Sequence, residues 1–159
     1  MKNIKFLVLD VDGVLTDGGM YYTESGDEFK KFNAKDGLAI RRLTKAGIPV
    51  GIISHGILTK LINKRADLLG IKYVYVGMGV KKLDILTNWC NELKIDLLDV
   101  AYIGDDINDL EVLHAVGVSA CPFDAVLKVK DIAHHILQLN GGEGCVREFI
   151  DEYFPEVME

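Results

Sequence analysis

Two aspartates directly follow the first apolar run of the chain and suggest chemistry. Asp10 and Asp12 come after the run at positions 4–9, and Gly13 then permits a sharp turn. Such a run indicates a buried strand, which draws the pair inward, whereas most short acidic pairs lie in solvated turns. Two carboxylates with reduced hydration repel each other, and a proton, a cation or a divalent metal must relieve that repulsion. The pair therefore predicts a functional site.

Further polar residues follow later apolar runs in the same way. Ser54 and Lys82 each come after one run, and Asp105, Asp106 and Asp109 come after another. Each alone has an ordinary explanation as a loop serine, a solvated lysine, or a turn with a helix cap. Their shared placement after successive strands predicts that they converge on one edge of a parallel sheet. Carboxylates for a hard cation, together with a hydroxyl and a lysine, are what phosphoryl transfer requires.

The elements that must position these residues are apolar runs of strand length alternating with helical patterns. The predicted strands are Ile4–Leu9, Pro49–Ile53, Lys72–Val76, Val100–Ile103 and Gly117–Ala120. This alternation indicates βαβ units, so we predict an α/β, Rossmann-like parallel sheet with helices on both faces. Ligands in such folds bind at the carboxyl ends of the strands, where the polar residues stand.

A β-hairpin flap at about positions 18–33 interrupts the alternation after the first strand. Its apolar face is predicted to expose Met20, Tyr22, Phe29 and Phe32. A hairpin with such a face needs a surface to pack against, and another copy of the chain is one candidate. The segments between the motifs are too short for a cap domain, so nothing larger than the hairpin is predicted to cover the site.

Composition limits the function classes. The 159 residues predict a single domain over positions 1–159, and a net charge of −6 provides no broad basic surface for nucleic acid or an anionic membrane. The N-terminal residues lack a signal-peptide pattern. The cysteines are odd in number, widely spaced and without a zinc pattern, which predicts buried free thiols and a cytoplasmic location. They are Cys90, Cys121 and Cys145.

The motifs resemble those of haloacid dehalogenase-superfamily phosphatases. The four matching segments are Asp10-x-Asp12-Gly13, Ser54, Lys82 and Gly104-Asp105-Asp106-x-x-Asp109. The whole chain is similar to the small capless branch that contains 3-deoxy-D-manno-octulosonate 8-phosphate phosphatase and nonulosonate 9-phosphate phosphatases. Features typical of that branch are Val14-Leu15-Thr16-Asp17-Gly18, Lys31-Phe32-Asn33-x-x-Asp36-Gly37, Arg65-Ala66-x-x-Leu69-Gly70-Ile71 and Gly141-Gly142-Glu143-Gly144-x-x-Arg147-Glu148.

The resemblance implies a Mg²⁺-dependent phosphomonoesterase that acts on a sugar-acid phosphate through an aspartyl-phosphate. It makes Asp10 the nucleophile and Asp12 the general acid and base. Asp12 is then expected to be held protonated at the first step by partial burial and nearby carboxylates. Mg²⁺ would bind the Asp10 carboxylate, the Asp12 carbonyl and Asp105, and Asp106 and Asp109 would orient those ligands.

The resemblance also implies a phosphate site and a set of substrate contacts. Ser54 and Lys82 would neutralise the phosphoryl oxygens. The substrate contacts carried over from relatives, or suggested by this loop, are Asn33, His55, Gly56, Arg65, Asn108 and Arg147. Capless relatives assemble as homotetramers, and we expect the same here. The glycine-rich stretch at 141–144 is expected to be flexible enough to bring Arg147 to a neighbour's site.

Some alternatives remain open from the sequence. His55 stands where relatives usually have glycine and is either a substrate contact or a loop residue, and either Lys81 or Lys82 could hold the phosphate. A receiver domain would need a phosphorylated aspartate after the third strand, where this chain has Gly77. A catalytically silent domain, like that of some CMP-sialate synthetases, would be expected to lose motif carboxylates, and here all five are present.

Overall fold

A six-stranded parallel sheet forms the centre of the fold. The computed structural model describes residues 4–158, so positions 1–3 and 159 of the predicted domain lie outside the described residues. The strands are β1 (Phe6–Leu9), β2 (Tyr21–Tyr22), β3 (Glu28–Phe29), β4 (Val50–Ser54), β5 (Tyr73–Val76), β6 (Val100–Ile103), β7 (Val118–Cys121) and β8 (His135–Ile136). The sheet order is β5-β4-β1-β6-β7-β8, and β2 and β3 form a separate two-stranded sheet. All five predicted strands are present with ends shifted by up to two residues, and the two-residue β8 was not predicted.

Helices cover both faces of this sheet, as predicted. They are α1 (Ala34–Lys45), α2 (Thr59–Leu69), α3 (Lys82–Leu93), α4 (Leu110–Ala115), α5 (Leu127–Lys130), α6 (Cys145–Tyr153) and α7 (Pro155–Met158). Apolar residues of α1, α2 and α6 share one core cluster, whereas those of α3, α4 and α5 share the other. Among the described residues, no helix combines the length and apolar character needed to cross a membrane.

The central strand β1 explains why both faces need helices. Its four residues are fully buried, with Leu7 and Leu9 in one core cluster and Phe6 and Val8 in the other. Side chains on a strand point alternately to its two faces, so a continuous apolar run fits a strand with no face toward water. β1 pairs with β4 and β6, whose carboxyl ends carry Ser54 and the segment that begins at Gly104.

The predicted hairpin is present but small. Its strands β2 and β3 are antiparallel and two residues long, and a bridge between Thr16 and Phe32 closes its base. Met20, Tyr22 and Phe29 are more than half exposed, as predicted. The prediction that Phe32 shares this exposed face is wrong, because its ring packs against the core cluster beneath the guanidinium of Arg65.

The C-terminal glycines are tightly packed within their own chain. A Cβ on Gly141 would stand 1.9 Å from the Gly13 carbonyl oxygen, and one on Gly142 would stand 2.4 Å from the Asp17 amide nitrogen. The Gly142 amide also donates to the Val14 carbonyl at 3.0 Å. The expectation that this stretch is flexible is therefore wrong, because its glycines permit a close approach to the loop after β1, and the reach of Arg147 to a neighbour's site stays a prediction.

The three cysteines are free and buried, as predicted. Burial raises the thiol pKa of Cys90 and of Cys121 to about 11, and it also raises that of Cys145. A thiol that stays protonated is a poor nucleophile and a poor metal ligand. Cys90 and Cys121 therefore serve as small apolar groups in the core, and the Cys145 thiol donates to the Val14 carbonyl at 3.4 Å.

Candidate active site

Asp10 lies at the carboxyl end of β1, where the sheet opens toward a cavity of about 370 Å³. Its side chain is almost fully buried, and Oδ1 is 2.9 Å from the Lys82 ammonium. Burial and the nearby Asp109 carboxylate raise the pKa of Asp10 well above its ordinary value, although Lys82 opposes that rise. A positive group is needed to keep Asp10 ionised, and Lys82 supplies one such charge.

Lys82 begins α3 and is buried between two aspartates. Its ammonium donates to Asp109 Oδ1 at 2.7 Å and lies 2.9 Å from Asp10. Burial lowers the pKa of Lys82, but the two carboxylates outweigh it, so the pKa lies above its ordinary value. Lys81, in contrast, is exposed and pairs with Glu111 on the surface. Of these two lysines, the structure brings Lys82 to the aspartates.

Asp109 is fully buried and organises the loop after β6. Its Oδ1 accepts hydrogen bonds from Lys82 and from the Tyr102 hydroxyl at 2.6 Å, whereas Oδ2 accepts from the Asp105 and Asp106 amides at 3.0 and 3.3 Å. Each of its two oxygens therefore accepts two hydrogen bonds. The carboxylate therefore fixes Lys82 and the loop, in agreement with the expected orienting position.

Asp105 has the properties of a metal ligand. Its Oδ1 is buried and has no hydrogen-bond partner within residues 4–158. Burial, with Asp109 and Asp106 nearby, raises the pKa of Asp105 to about 7. Carboxylate oxygens of Asp10, Asp105 and Asp109 lie within 4.8 Å of one another, and Lys82 offsets only one of the three charges. This oxygen-rich, negatively charged set fits a divalent cation such as Mg²⁺.

Gly13 makes this cluster possible. Its φ is +85°, and a Cβ at this position would stand 2.0 Å from Asp105 Oδ2. Any other residue would strain the turn and collide with the carboxylate. The glycine thus lets the two acidic loops, after β1 and after β6, approach each other closely.

The loop after β4 forms the opposite side of the cavity. Ser54 is buried, and its Oγ accepts a hydrogen bond from the Gly56 amide at 3.0 Å. His55 lines the cavity and bonds the Val80 carbonyl through Nε2 at 3.0 Å, so that nitrogen is the donor. This contact ties the loop after β4 to the loop before α3.

Seven of the thirteen predicted site residues line the cavity, and Ser54, Lys82 and Asp109 are not among them. Its lining is Asp10, Asp12, Gly18, His55, Gly56, Asp105, Asp106, Ile107 and Asn108. Asn33 instead caps α1 and donates to the Gly142 carbonyl, whereas Arg65 lies beside Asn33 and Phe32. Arg147 pairs with Asp151. For these last three, contact with substrate stays a prediction that this cavity alone does not support.

The surroundings of Asp12 include a cation that was not predicted. Its carboxylate is 40% exposed, and its charged partner is Lys30, whose ammonium lies 2.5 Å from Oδ1. That Asp12 is held protonated at the first step stays a prediction. Sequence reasoning missed Lys30, although strand alternation with the exposed Phe29 placed it on the inner face.

The comparisons with known proteins agree with this geometry. A haloacid dehalogenase-like hydrolase model matches residues 73–150. A 3-deoxy-D-manno-octulosonate 8-phosphate phosphatase from Haemophilus influenzae is 38% identical over 151 residues, which are 95% of this chain and 83% of that protein. The chain belongs to the haloacid dehalogenase-like hydrolase family. The predicted family and fold are thereby confirmed.

Solved structures of this family superpose closely. The phosphatase of the same name from Yersinia pestis has a TM-score of 0.90 at 40% identity, covering 94% of this chain and 80% of that one. The Moraxella catarrhalis protein has a TM-score of 0.90 at 34% identity, covering 95% and 86%. That structure is a complex with a magnesium ion, a phosphate ion and a KDO molecule.

Proposed function

We propose that this hydrolase is a Mg²⁺-dependent phosphatase of a sugar-acid phosphate, with 3-deoxy-D-manno-octulosonate 8-phosphate as the first candidate substrate. The observation that carries the proposal is the buried Asp10 carboxylate, which faces the cavity with Lys82 on one side and the Asp105 carboxylate nearby. The relatives that carry this name support the choice of substrate. Nonulosonate 9-phosphates are the competing substrates within the same class.

In the first step, a carboxylate oxygen of Asp10 attacks phosphorus while the bond from phosphorus to the sugar oxygen breaks. Asp12 gives its proton to that oxygen, so that the sugar leaves as an alcohol. In the second step, water attacks the phosphorus of the aspartyl-phosphate, and Asp12 takes the proton. Asp10 is thereby regenerated, and inorganic phosphate is released.

Other residues hold the phosphoryl group and the cation. Ser54, at the end of β4, and Lys82, 2.9 Å from Asp10, are the donors proposed for the phosphoryl oxygens. Asp10, the Asp12 carbonyl and Asp105 would hold Mg²⁺, which supplies positive charge against the repulsion between carboxylate and phosphate. Asp109, whose oxygens already accept four donors, keeps an orienting role, and Asp106 flanks the same loop. His55, Gly56 and Asn108 line the entrance and are proposed substrate contacts.

The protein is further proposed to act as one capless domain that assembles as a homotetramer. The exposed apolar side chains of the hairpin supply a surface that another copy can cover.

Free cysteines fit a reducing compartment, and we propose the cytoplasm. A silent structural domain is disfavoured because the motif aspartates are all present and four of them line the cavity.

The test is phosphate release from 4-nitrophenyl phosphate with and without Mg²⁺, followed by a screen of eight- and nine-carbon ulosonate phosphates. We expect Mg²⁺-dependent turnover and a preference for one sugar-acid phosphate over the aryl ester. The Asp10→Asn protein is the control for contaminating phosphatase. A wild-type protein that binds Mg²⁺ yet hydrolyses none of these esters would contradict the proposal.

A further inference from the structure

Lys30 has a buried side chain, on a hairpin that also exposes Met20, Tyr22 and Phe29. Its side chain is only 5% exposed, although Phe29 beside it is 52% exposed. The ammonium lies 2.5 Å from Asp12 Oδ1 and 3.5 Å from Glu28 Oε1. Lysine is rarely this buried unless it is paired, so its position requires these carboxylates.

The pairing keeps Lys30 charged. Burial lowers its pKa, but the Asp12 and Glu28 carboxylates outweigh that effect, so the pKa lies above its ordinary value. Glu28 lies in β3, two residues before Lys30, and its carboxylate reaches the Lys30 ammonium at 3.5 Å. The hairpin thus presents a fixed positive group, with one carboxylate of its own, to the loop after β1.

The two oxygens of Asp12 face different surroundings. Oδ1 is occupied by Lys30, whereas Oδ2 lies 3.5 Å from the point that a Cβ on Gly56 would occupy. The Ser54 hydroxyl is 3.1 Å from that same point. Oδ2 is therefore the oxygen that faces the loop where the phosphoryl group is proposed to bind.

We propose that Lys30 is a positioning residue that holds Asp12 by Oδ1, so that Oδ2 is the atom that exchanges the proton. This inference rests on the proposed function. When the Oδ2–H bond breaks, the proton goes to the sugar oxygen that leaves phosphorus, and the Lys30 ammonium offsets the carboxylate charge that forms. The hairpin is in this way part of the catalytic machinery as well as an exposed surface.

The hairpin has other attachments, which make the role of Lys30 separable. The Tyr21 hydroxyl donates to Asp17, Lys31 lies 3.7 Å from the same carboxylate, and a bridge joins Thr16 to Phe32. Removal of the Lys30 charge leaves these three attachments in place. Lys31 is 57% exposed and is the matched control, since it is a lysine on the same hairpin paired with a different aspartate.

The experiment compares Lys30→Met with Lys31→Met in single turnovers with enzyme in excess, where release of the leaving group reports only the first step. The substrates are 3-deoxy-D-manno-octulosonate 8-phosphate, whose alkoxide must be protonated, and 4-nitrophenyl phosphate, whose phenolate leaves without a proton. General acid catalysis contributes about 10²–10⁴-fold to a rate, so Lys30→Met should lower the single-turnover rate on the sugar ester by about thirtyfold or more. The rate on the aryl ester should fall by less than about threefold. Lys31→Met should change the rate on neither ester by more than about threefold.

Lys30→Arg and Lys30→Gln complete the design if the methionine variant does not fold. Arginine keeps the charge, so the single-turnover rate on the sugar ester should stay within about threefold of the parent rate. Glutamine removes the charge and should not preserve that rate. Equal slowing of both esters in the folded Lys30 variants, or slowing no greater than that of Lys31→Met, would overturn the inference. A parent protein inactive on both esters would instead refute the proposed function, so the two failures are distinguishable.

Discussion

The strand-end cluster and the hairpin contribute to the same cavity but are built in opposite ways. Asp10, Asp109 and Lys82 are buried, and each lies at or beside the end of a regular element. The hairpin has two-residue strands and exposes Met20 and Tyr22. A phosphoryl-transfer centre needs fixed charges, which regular elements hold well, whereas on the hairpin only the packing of Lys30 against Asp12 fixes the charge. Lys30 is the point where the two regions join.

Asp10→Asn should give the largest effect, because it removes the proposed nucleophile from the rigid region. We expect turnover to fall by more than about a thousandfold, since loss of such a group adds several kcal/mol to the barrier. The change is nearly isosteric and relieves carboxylate repulsion, so the unfolding midpoint in urea should not fall. Steady-state phosphate release measures the effect. Residual activity above about a thousandth of the parent rate would refute the nucleophile assignment.

Asp109→Asn should have the next largest effect, and that effect should be a loss of folding stability. The carboxylate accepts four donors, two on each oxygen. An amide has one acceptor oxygen, so in either orientation its NH₂ group faces two of those donors. Unsatisfied buried donors each carry a penalty of about 1–3 kcal/mol, and we expect a loss of about 3 kcal/mol in urea unfolding.

Asp106→Asn is the control for that experiment. Asp106 is exposed and caps the turn at Ile107 through Oδ1, a bond that asparagine can also make. The free energy of unfolding of the Asp106→Asn protein should stay within about 0.5 kcal/mol of the parent value. A loss below about 1 kcal/mol for Asp109→Asn would mean that the loop does not depend on the carboxylate.

Mg²⁺ affinity should depend on pH through Asp105, an effect of intermediate size. Its pKa of about 7 means that a proton competes with the cation at neutral pH. Lowering the pH from 8 to 6 protonates Asp105 and should weaken binding about tenfold, or about 1.4 kcal/mol. Calorimetric titration of the metal-free protein with MgCl₂ at several pH values measures it. Stronger binding at pH 6 than at pH 8 would contradict the assignment, and Asp105→Asn should remove the pH dependence.

Tyr22→Ser should give the smallest catalytic effect and thus sharpens the contrast between the regions. The exposed ring is on the proposed contact surface, so sedimentation should show a smaller assembly. Turnover of 4-nitrophenyl phosphate should stay within about threefold, because no proposed catalytic group is touched. Leu38, on α1, is also more than half exposed, so Leu38→Ser is the control and should leave the assembly intact. An unchanged assembly in Tyr22→Ser would place the subunit contact elsewhere.

The strand-end cluster was predictable from sequence because local rules determine it. A buried parallel strand places the next residues at the carboxyl edge, so Asp10, Ser54 and Asp105 had to converge. Lys30 and Phe32 were missed because their burial depends on which loop the hairpin packs against. The packing of Gly141 and Gly142 was missed for a related reason, since a glycine run permits flexibility and close approach equally. Long-range packing decides between those outcomes, and no local pattern records it.

The close approach of Gly141 and Gly142 to the loop after β1 also bears on how the protein is made. β1 precedes its sheet partners β4 and β6 in the chain, so those neighbours are synthesised well after it. Domains fold as units during synthesis, and non-local pairings form slowly. The loop that carries Asp12 gains its last backbone partner, the Gly142 amide, only when residue 142 has left the ribosome. A nascent chain that stops short of this residue has every catalytic aspartate but lacks the support that holds them in place.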